Sequence, residues 1–224
     1  MNNSVLINNN KVSLTGKVVS EPVFSHEAYE EKFYLFTIEV PRLSDTNDYI
    51  KATVSEKLIS AVPFEVDDVI SIKGQFRSYN NFSTIGNRLI LTVFVKDIEL
   101  CESEDYMQNP NSIYLNGYIC KTPVYRTTPF GREITDLLVA VNRSYNKSDY
   151  IPCIAWGRNA KYAASLSVGD SVLLSGRIQS RNYQKKIDEN TVENKTAYEI
   201  SISKIDVNQD INQNESFYYE TVSE

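Results

Sequence analysis

What most constrains this chain is that its sequence is written twice. Leu14-Thr15-Gly16 falls on Leu115-Asn116-Gly117, and Pro22-Val23-Phe24 on Pro123-Val124-Tyr125, both at an offset of 101 residues. Val40-Pro41-Arg42 and Asp48-Tyr49-Ile50 fall on Val141-Asn142-Arg143 and Asp149-Tyr150-Ile151 at the same 101. Val66-Asp67-Asp68 then meets Val168-Gly169-Asp170, and Lys73-Gly74-Gln75 meets Ser175-Gly176-Arg177, at 102, one residue having been gained. Blocks that keep their order across most of each half mark a duplication. The spacing predicts domains over residues 10–101 and 111–207. Between them Glu102 to Pro110 is an acidic, polar linker, and residues 208–224 read as a disordered acidic tail.

Each copy reads as β, with β-branched and aromatic runs separated by turn residues. In the second copy strands are expected near 112–120, 132–142, 150–156, 171–182 and 196–207, with the Ala-rich stretch Arg158 to Ser165 as a short helix between the third and fourth. Five strands with a helix in that place is the OB arrangement, so the expected fold class is all-β, two tandem OB-fold barrels. The glycines shared by the first and fourth strands suit the sharp bends of a small barrel.

Composition narrows the chemistry. The only histidine is His26, so one chain can assemble neither a His-based zinc site nor a Ser/Cys-His-Asp triad. Cys101, Cys120 and Cys153 have no CxxC spacing and form an odd set, as expected of reduced thiols in a cytoplasm. Carboxylates do not cluster with an Arg or at metal-ligand spacing, so no metal, cofactor or catalysis is expected. Met1 to Asn10 has no leader character, and the longest apolar stretches, such as Leu137 to Val141, are strand-sized. The net charge of −6 disfavours a polyanionic partner, but it is unevenly spread. Residues 1–108 hold 10 Lys and Arg against 16 Asp and Glu, whereas residues 109–207 hold 13 against 9. The basic excess is local to the second copy, where a nucleic-acid footprint is to be sought.

Strand periodicity sorts the side chains there. In the fourth strand Val172, Leu174 and Ile178 alternate with Arg177, Gln179, Arg181 and Tyr183; in the third, Ile151, Cys153 and Ala155 alternate with Tyr150, Pro152, Ile154 and Trp156. One face is core; the other interleaves aromatic rings with cations. Unpaired bases expose π-faces that stack on such rings, while cations follow the phosphates, so the pattern points to a single strand rather than a duplex. The candidate contacts are Tyr145, Tyr150, Trp156 and Tyr183 with Arg143, Arg158, Arg177 and Arg181, and Lys185 and Lys186 in a long polar hairpin. For Trp156 core packing and base contact are equally compatible with the pattern. The first copy has Ser55 where the second has Trp156; Tyr49, Arg77, Tyr79 and Phe82 are its remaining candidates, and its acidity points to a weaker site or an assembly module. The other reading is a protein-interaction module of a primosome or mobile-element replication complex with secondary DNA contact.

The second copy, from about Ser112 to Val207, resembles the bacterial single-stranded DNA-binding protein family. The resemblance is carried by Leu115-Asn116-Gly117, Leu138 to Arg143, Asp149-Tyr150-Ile151-Pro152-Cys153-Ile154-Ala155-Trp156-Gly157-Arg158, and Gly176-Arg177-Ile178-Gln179-Ser180-Arg181-Asn182-Tyr183. It implies sequence-tolerant binding of single-stranded DNA in replication, recombination or repair, with stacking at Tyr145, Tyr150, Trp156 and Tyr183. It also implies assembly of four OB domains, which a two-domain chain reaches as a homodimer. The first copy resembles the family more thinly, through Leu14, Gly16, Tyr49 and Gly74, and is as similar to the family's primosomal replication protein N relatives. The family's acidic tip closing on an apolar dipeptide has no match in Thr221-Val222-Ser223-Glu224, so replication or repair partners reached through it are not implied. DNA and RNA are separated only by the resemblance, because stacking and phosphate tracking do not read the 2′-OH.

Overall fold

The computed structural model describes residues 9–80, 89–101, 109–186 and 191–208. The first half contains β1 (Asn10–Val18), β2 (Val23–Ala28), β3 (Glu31–Pro41), β4 (Asn47–Ser55), α1 (Glu56–Ala61), β5 (Val69–Asn80) and β6 (Leu89–Leu100). The second contains β7 (Asn111–Thr127), β8 (Glu133–Arg143), β9 (Lys147–Trp156), α2 (Arg158–Ala164), β10 (Ser171–Lys186) and β11 (Val192–Val207). The fold is all-β. Among the described residues no helix is long and apolar enough to cross a membrane.

Each half closes on itself. In the second, β7 pairs with β8, β8 with β9, β11 runs parallel to β9, and β10 bridges β11 back to β7. The first half repeats the circuit through β1, β3, β4, β6 and β5, with the parallel contact at Ala52↔Val93 and Thr53↔Phe94. This is the expected OB order, twice. The strands of the second copy run longer than the pattern predicted. β7 carries on to Thr127 through register shifts on either side of Lys121, the second spanning Pro123, whose missing N–H suits a bulge. β10 and β11 continue to Lys186 and from Val192, so much of the polar hairpin is paired strand.

Alternate residues of the strands in each closed circuit fill the barrels, whereas β2 buries none of its side chains. Phe36, Ile38, Ile50, Ile72 and Phe76 are fully buried in the first half, as are Leu115, Ile119, Val139, Ile151 and Ile178 in the second. Each such side chain contributes about 1.5–3 kcal/mol. Gly74 and Gly176 stand at register shifts of β5 and β10, where a Cβ would meet the carbonyl oxygens of Phe94 and Ser201 at 2.2 Å in each case. Only glycine lets the strands approach so closely.

The halves join through β1 and β7, antiparallel, with Asn10↔Leu115, Val12↔Ile113 and Leu14↔Asn111 in register. Adding the repeat offset to each first-half residue turns the first pair into the last and leaves Val12↔Ile113 unchanged. A pseudo-twofold axis therefore passes between Val12 and Ile113. The side-chain bonds obey it. The Asn10 amide bonds Phe76 N and O at 2.9 and 2.8 Å, and the Asn111 amide bonds Ile178 N and O at 2.9 and 2.7 Å.

Candidate nucleic-acid interface

β9 carries Tyr150, Pro152, Ile154 and Trp156 on one face, and at about 3.3 Å per residue the row from Tyr150 to Trp156 spans about 20 Å. Tyr150 is half-exposed, and Pro152 and Trp156 are partly covered. Ile154, expected to point outward with them, is 4% exposed instead. It pairs beside Ser201 of the parallel β11 and forms the floor of a groove, which strand alternation does not reveal.

That groove, of about 750 Å³, runs past Trp156. Its cations are Arg177 and Arg181 from β10, Arg126 from β7, Arg132 from the β7–β8 turn and Arg42 from the first half. Phe130, at the tip of the same turn, is 91% exposed. Phe130, Arg126, Arg132 and Arg42 escaped the sequence reading. Phe130 had one signal: it stands at the repeat offset from Tyr29, and both are aromatic tips of a turn.

The cations are not equally free. Arg126 is tied to Asp136, with Nη2 and Oδ1 at 3.2 Å, and this hydrogen-bonded pairing raises its pKa. Arg42 makes a two-pronged bond to the buried Asp48 at 2.8 and 2.6 Å, and Arg177 reaches the same carboxylate at 3.1 Å. Bonding to Asp48 raises the Arg42 pKa, whereas burial, then the Arg42 charge, lowers that of Arg177. Two guanidiniums on one carboxylate leave a positive excess. The Arg132 side chain has no partner among the described residues, and the Arg181 guanidinium lies 5.8 Å from the Tyr183 ring centroid. The acid lining the groove, Glu199, accepts from Gln179 Nε2 at 2.6 Å.

Not all the expected contacts meet here. Tyr183 lies farther along the β10–β11 hairpin beside Asn182 and Lys195, and Lys186 is exposed at its end. Arg158 is exposed at the start of α2 and lines no groove with Trp156. Arg143 and Tyr145 line a different groove, shared with Arg77 of the first half. Arg143 stands 3.2 Å from Asp149, its Nε–H not aimed at the oxygen, so the contact is ionic rather than hydrogen-bonded. In the first half the Tyr49 hydroxyl donates to Glu39 at 2.9 Å, and Tyr79 bonds Arg77. Phe82 and the side chain of Lys185 lie outside the described residues. Ser55 accepts a 3.3 Å bond from Leu58 N and caps α1, a role that its counterpart Trp156 does not fill. Among the described residues no group of His, Cys, Asp and Glu is placed to hold a metal ion.

A groove of arginines beside exposed rings, on a five-stranded barrel, invites comparison with known proteins. Residues 110–208 match the single-strand binding protein family. The single-stranded DNA-binding protein of Clostridium tetani is 36% identical over 83 residues, 34% of this chain and 57% of that protein. Single-stranded DNA-binding protein A of Bacillus subtilis is 34% identical over 83 residues, covering 48% of its length. The chain thus spans about half of these relatives. The wild-type single-stranded DNA-binding protein of Thermus aquaticus superposes with a TM-score of 0.72 at 17% identity, over 89% of this chain and 92% of that one. At that identity the likeness is one of fold, and it takes in both barrels. A structure of the N-terminal domain of a PriB protein from Thermoanaerobacter tencongensis is 47% identical over 42% of this chain, with a TM-score of 0.37.

Proposed function

We propose that the protein binds single-stranded DNA, with little sequence preference and without catalysis, in replication, recombination or repair. The observation that carries this reading is the Trp156 groove, where Phe130 and Trp156 offer π-faces and Arg42, Arg132, Arg177 and Arg181 offer phosphate contacts. The match of residues 110–208 to the single-strand binding protein family supports it. Stacking is sequence-tolerant because every base has a π-face.

Trp156 is the only tryptophan, so its fluorescence reports this groove alone. Titration with oligo-dT at two salt concentrations is expected to quench it. The affinity should fall with salt at a log–log slope of about −0.7 per phosphate contacted. Replacing Trp156 or Tyr150 with Ala should weaken binding by about 1–3 kcal/mol. Salt-independent binding, or unchanged affinity in both folded variants, overturns the reading.

The reading includes a homodimer that brings four barrels together in a reducing cytoplasm. The three cysteines are unpaired, and an open face of about 830 Å³ hollow volume lies over the β1–β7 seam beside Lys11, Ser112 and Tyr114. Sedimentation equilibrium is expected to give twice the chain mass; a monomer at micromolar concentration removes this element.

A further inference from the structure

The two copies carry opposite charge along one equivalent stretch. From Ser20 to Glu31 there are four carboxylates, Glu21, Glu27, Glu30 and Glu31, and no Lys or Arg. The stretch at the repeat offset, Lys121 to Arg132, has three cations and no carboxylate. Both keep an exposed apolar pair, Val23 and Phe24 at 66% and 56% in the first, Val124 and Tyr125 at 51% and 43% in the second.

The acidic stretch contains β2, which ends the sheet order and among the described residues pairs with β3 alone. Backbone N–H and C=O groups along its other side therefore face solvent, a template for a further strand. The hairpin is well fixed: Tyr29-Glu30, with φ 53° and 62°, forms the two-residue turn whose twist suits paired strands. A bulge at Ser25 sorts the β2 side chains into two rows. Val23 and His26 lie opposite Leu35 and Phe33 on one face, where His26 stacks on Phe33 at 5.1 Å and 13° and Phe33 meets Phe94 at 5.7 Å. Phe24 and Glu27 lie opposite Tyr34 and Lys32 on the other. There the Phe24 ring meets Tyr34 edge-on at 6.1 Å, and Lys32 turns to Glu56 at 3.6 Å. Glu27 is left without an ion-pair partner among the described residues.

We propose that β2 is a docking edge for an extended segment of a partner protein in which Lys or Arg alternates with apolar residues. Side chains of an added strand alternate between its faces, so one row meets Val23, His26 and the rings behind them, and the other meets Phe24 and Glu27. The first row calls for apolar side chains. The second suits cations whose stems pack on Phe24 while their heads reach Glu27. Main-chain bonds to β2 give the affinity, and the two rows give the selectivity. The carboxylates turn away nucleic acid, and they set like charge against like where β2 of one copy would meet β2 of another. The basic strand of a second copy, Lys121 to Arg132, is otherwise engaged: Arg126 is held by Asp136, and Arg132 lines the Trp156 groove.

The test uses the full chain and a labelled, end-blocked peptide in which Lys and Val alternate, six residues long like β2. Saturable binding is expected by fluorescence anisotropy, with slower hydrogen exchange at the β2 amides. A fully N-methylated peptide with the same side chains has no N–H to donate and should not saturate. In Glu27→Lys/Glu30→Lys, and separately in Phe24→Ala, the affinity should fall about tenfold. Both variants alter exposed side chains and should keep wild-type stability. No saturable binding, equal binding by the N-methylated peptide, protection outside β2, or an affinity untouched in both variants overturns the proposal. So does a wild-type oligomer that the charge reversal dissociates in sedimentation, because the occupant of the edge is then a second copy.

Discussion

Asp48 of β4 and Ser180 of β10, 132 positions apart, lock the first half to the second: the Ser180 N–H donates to Asp48 Oδ1 at 2.7 Å. The Ser180 hydroxyl in turn accepts from Tyr49 N at 2.9 Å. The same pair recurs across the axis, where Ser78 N donates to Asp149 Oδ1 and Tyr150 N to Ser78 Oγ, both at 2.8 Å. The Asp-Tyr-Ile block is repeated because it builds the same clasp twice.

Asp48→Ala is therefore expected to destabilise the fold by about 3 kcal/mol, the low end for a broken buried ion pair, because Arg42 and Arg177 keep some contact with water. Ser180→Ala should cost about 1 kcal/mol. Urea unfolding checks both; a loss below about 0.5 kcal/mol for Asp48→Ala would show that the clasp is not structural.

Asp149 differs from Asp48 in its titration. Burial raises its pKa, against the Ser78 N–H and the charges of Arg143 and Arg77, which lower it. A raised folded-state pKa means that the native state holds the proton more tightly than the unfolded chain. The contribution is thus fully present below the ordinary Asp value and is lost as pH rises through the folded one. Asp149→Asn, which does not titrate, should gain stability relative to wild type as pH rises through that window. Urea midpoints on either side of it provide the measurement, and a relative loss on the way up contradicts the assignment.

At Gly176 a methyl group would collide with backbone that has no room to yield. Gly176→Ala is expected to lose about 2–3 kcal/mol. Gly131 has φ 75° and nothing within 4 Å of an added Cβ, so Gly131→Ala should lose only about 1 kcal/mol through its backbone conformation. Thermal unfolding of the pair should preserve that order; a reversal would place the close approach elsewhere.

Phe130 and Arg132 project from a turn and support nothing beneath them, so Phe130→Ala and Arg132→Gln should fold with wild-type stability. The first should weaken oligo-dT binding by about 1–3 kcal/mol, and the second should flatten the log–log salt slope by about 0.7. Fluorescence titration reads both. Full wild-type affinity in Phe130→Ala and an unchanged slope in Arg132→Gln would remove the turn from the interface.

The duplication, the strand alternation and the five-strand order with its helix were all legible in the sequence, because local periodicity and a fixed offset record them directly. So was the one-residue shift of offset between Ile50 and Val66. What the sequence left undecided was which residues share a surface. Arg143 and Tyr145 read as neighbours of Trp156 because they belong to the same copy. The antiparallel pairing of β1 with β7 about Val12 and Ile113 instead carries them to the first half's groove and brings Arg42 to theirs. Ile154 likewise reads as outward until β11 runs alongside it. Alternation along a strand fixes which way a side chain points, and only the packing of one barrel against the other fixes what it meets.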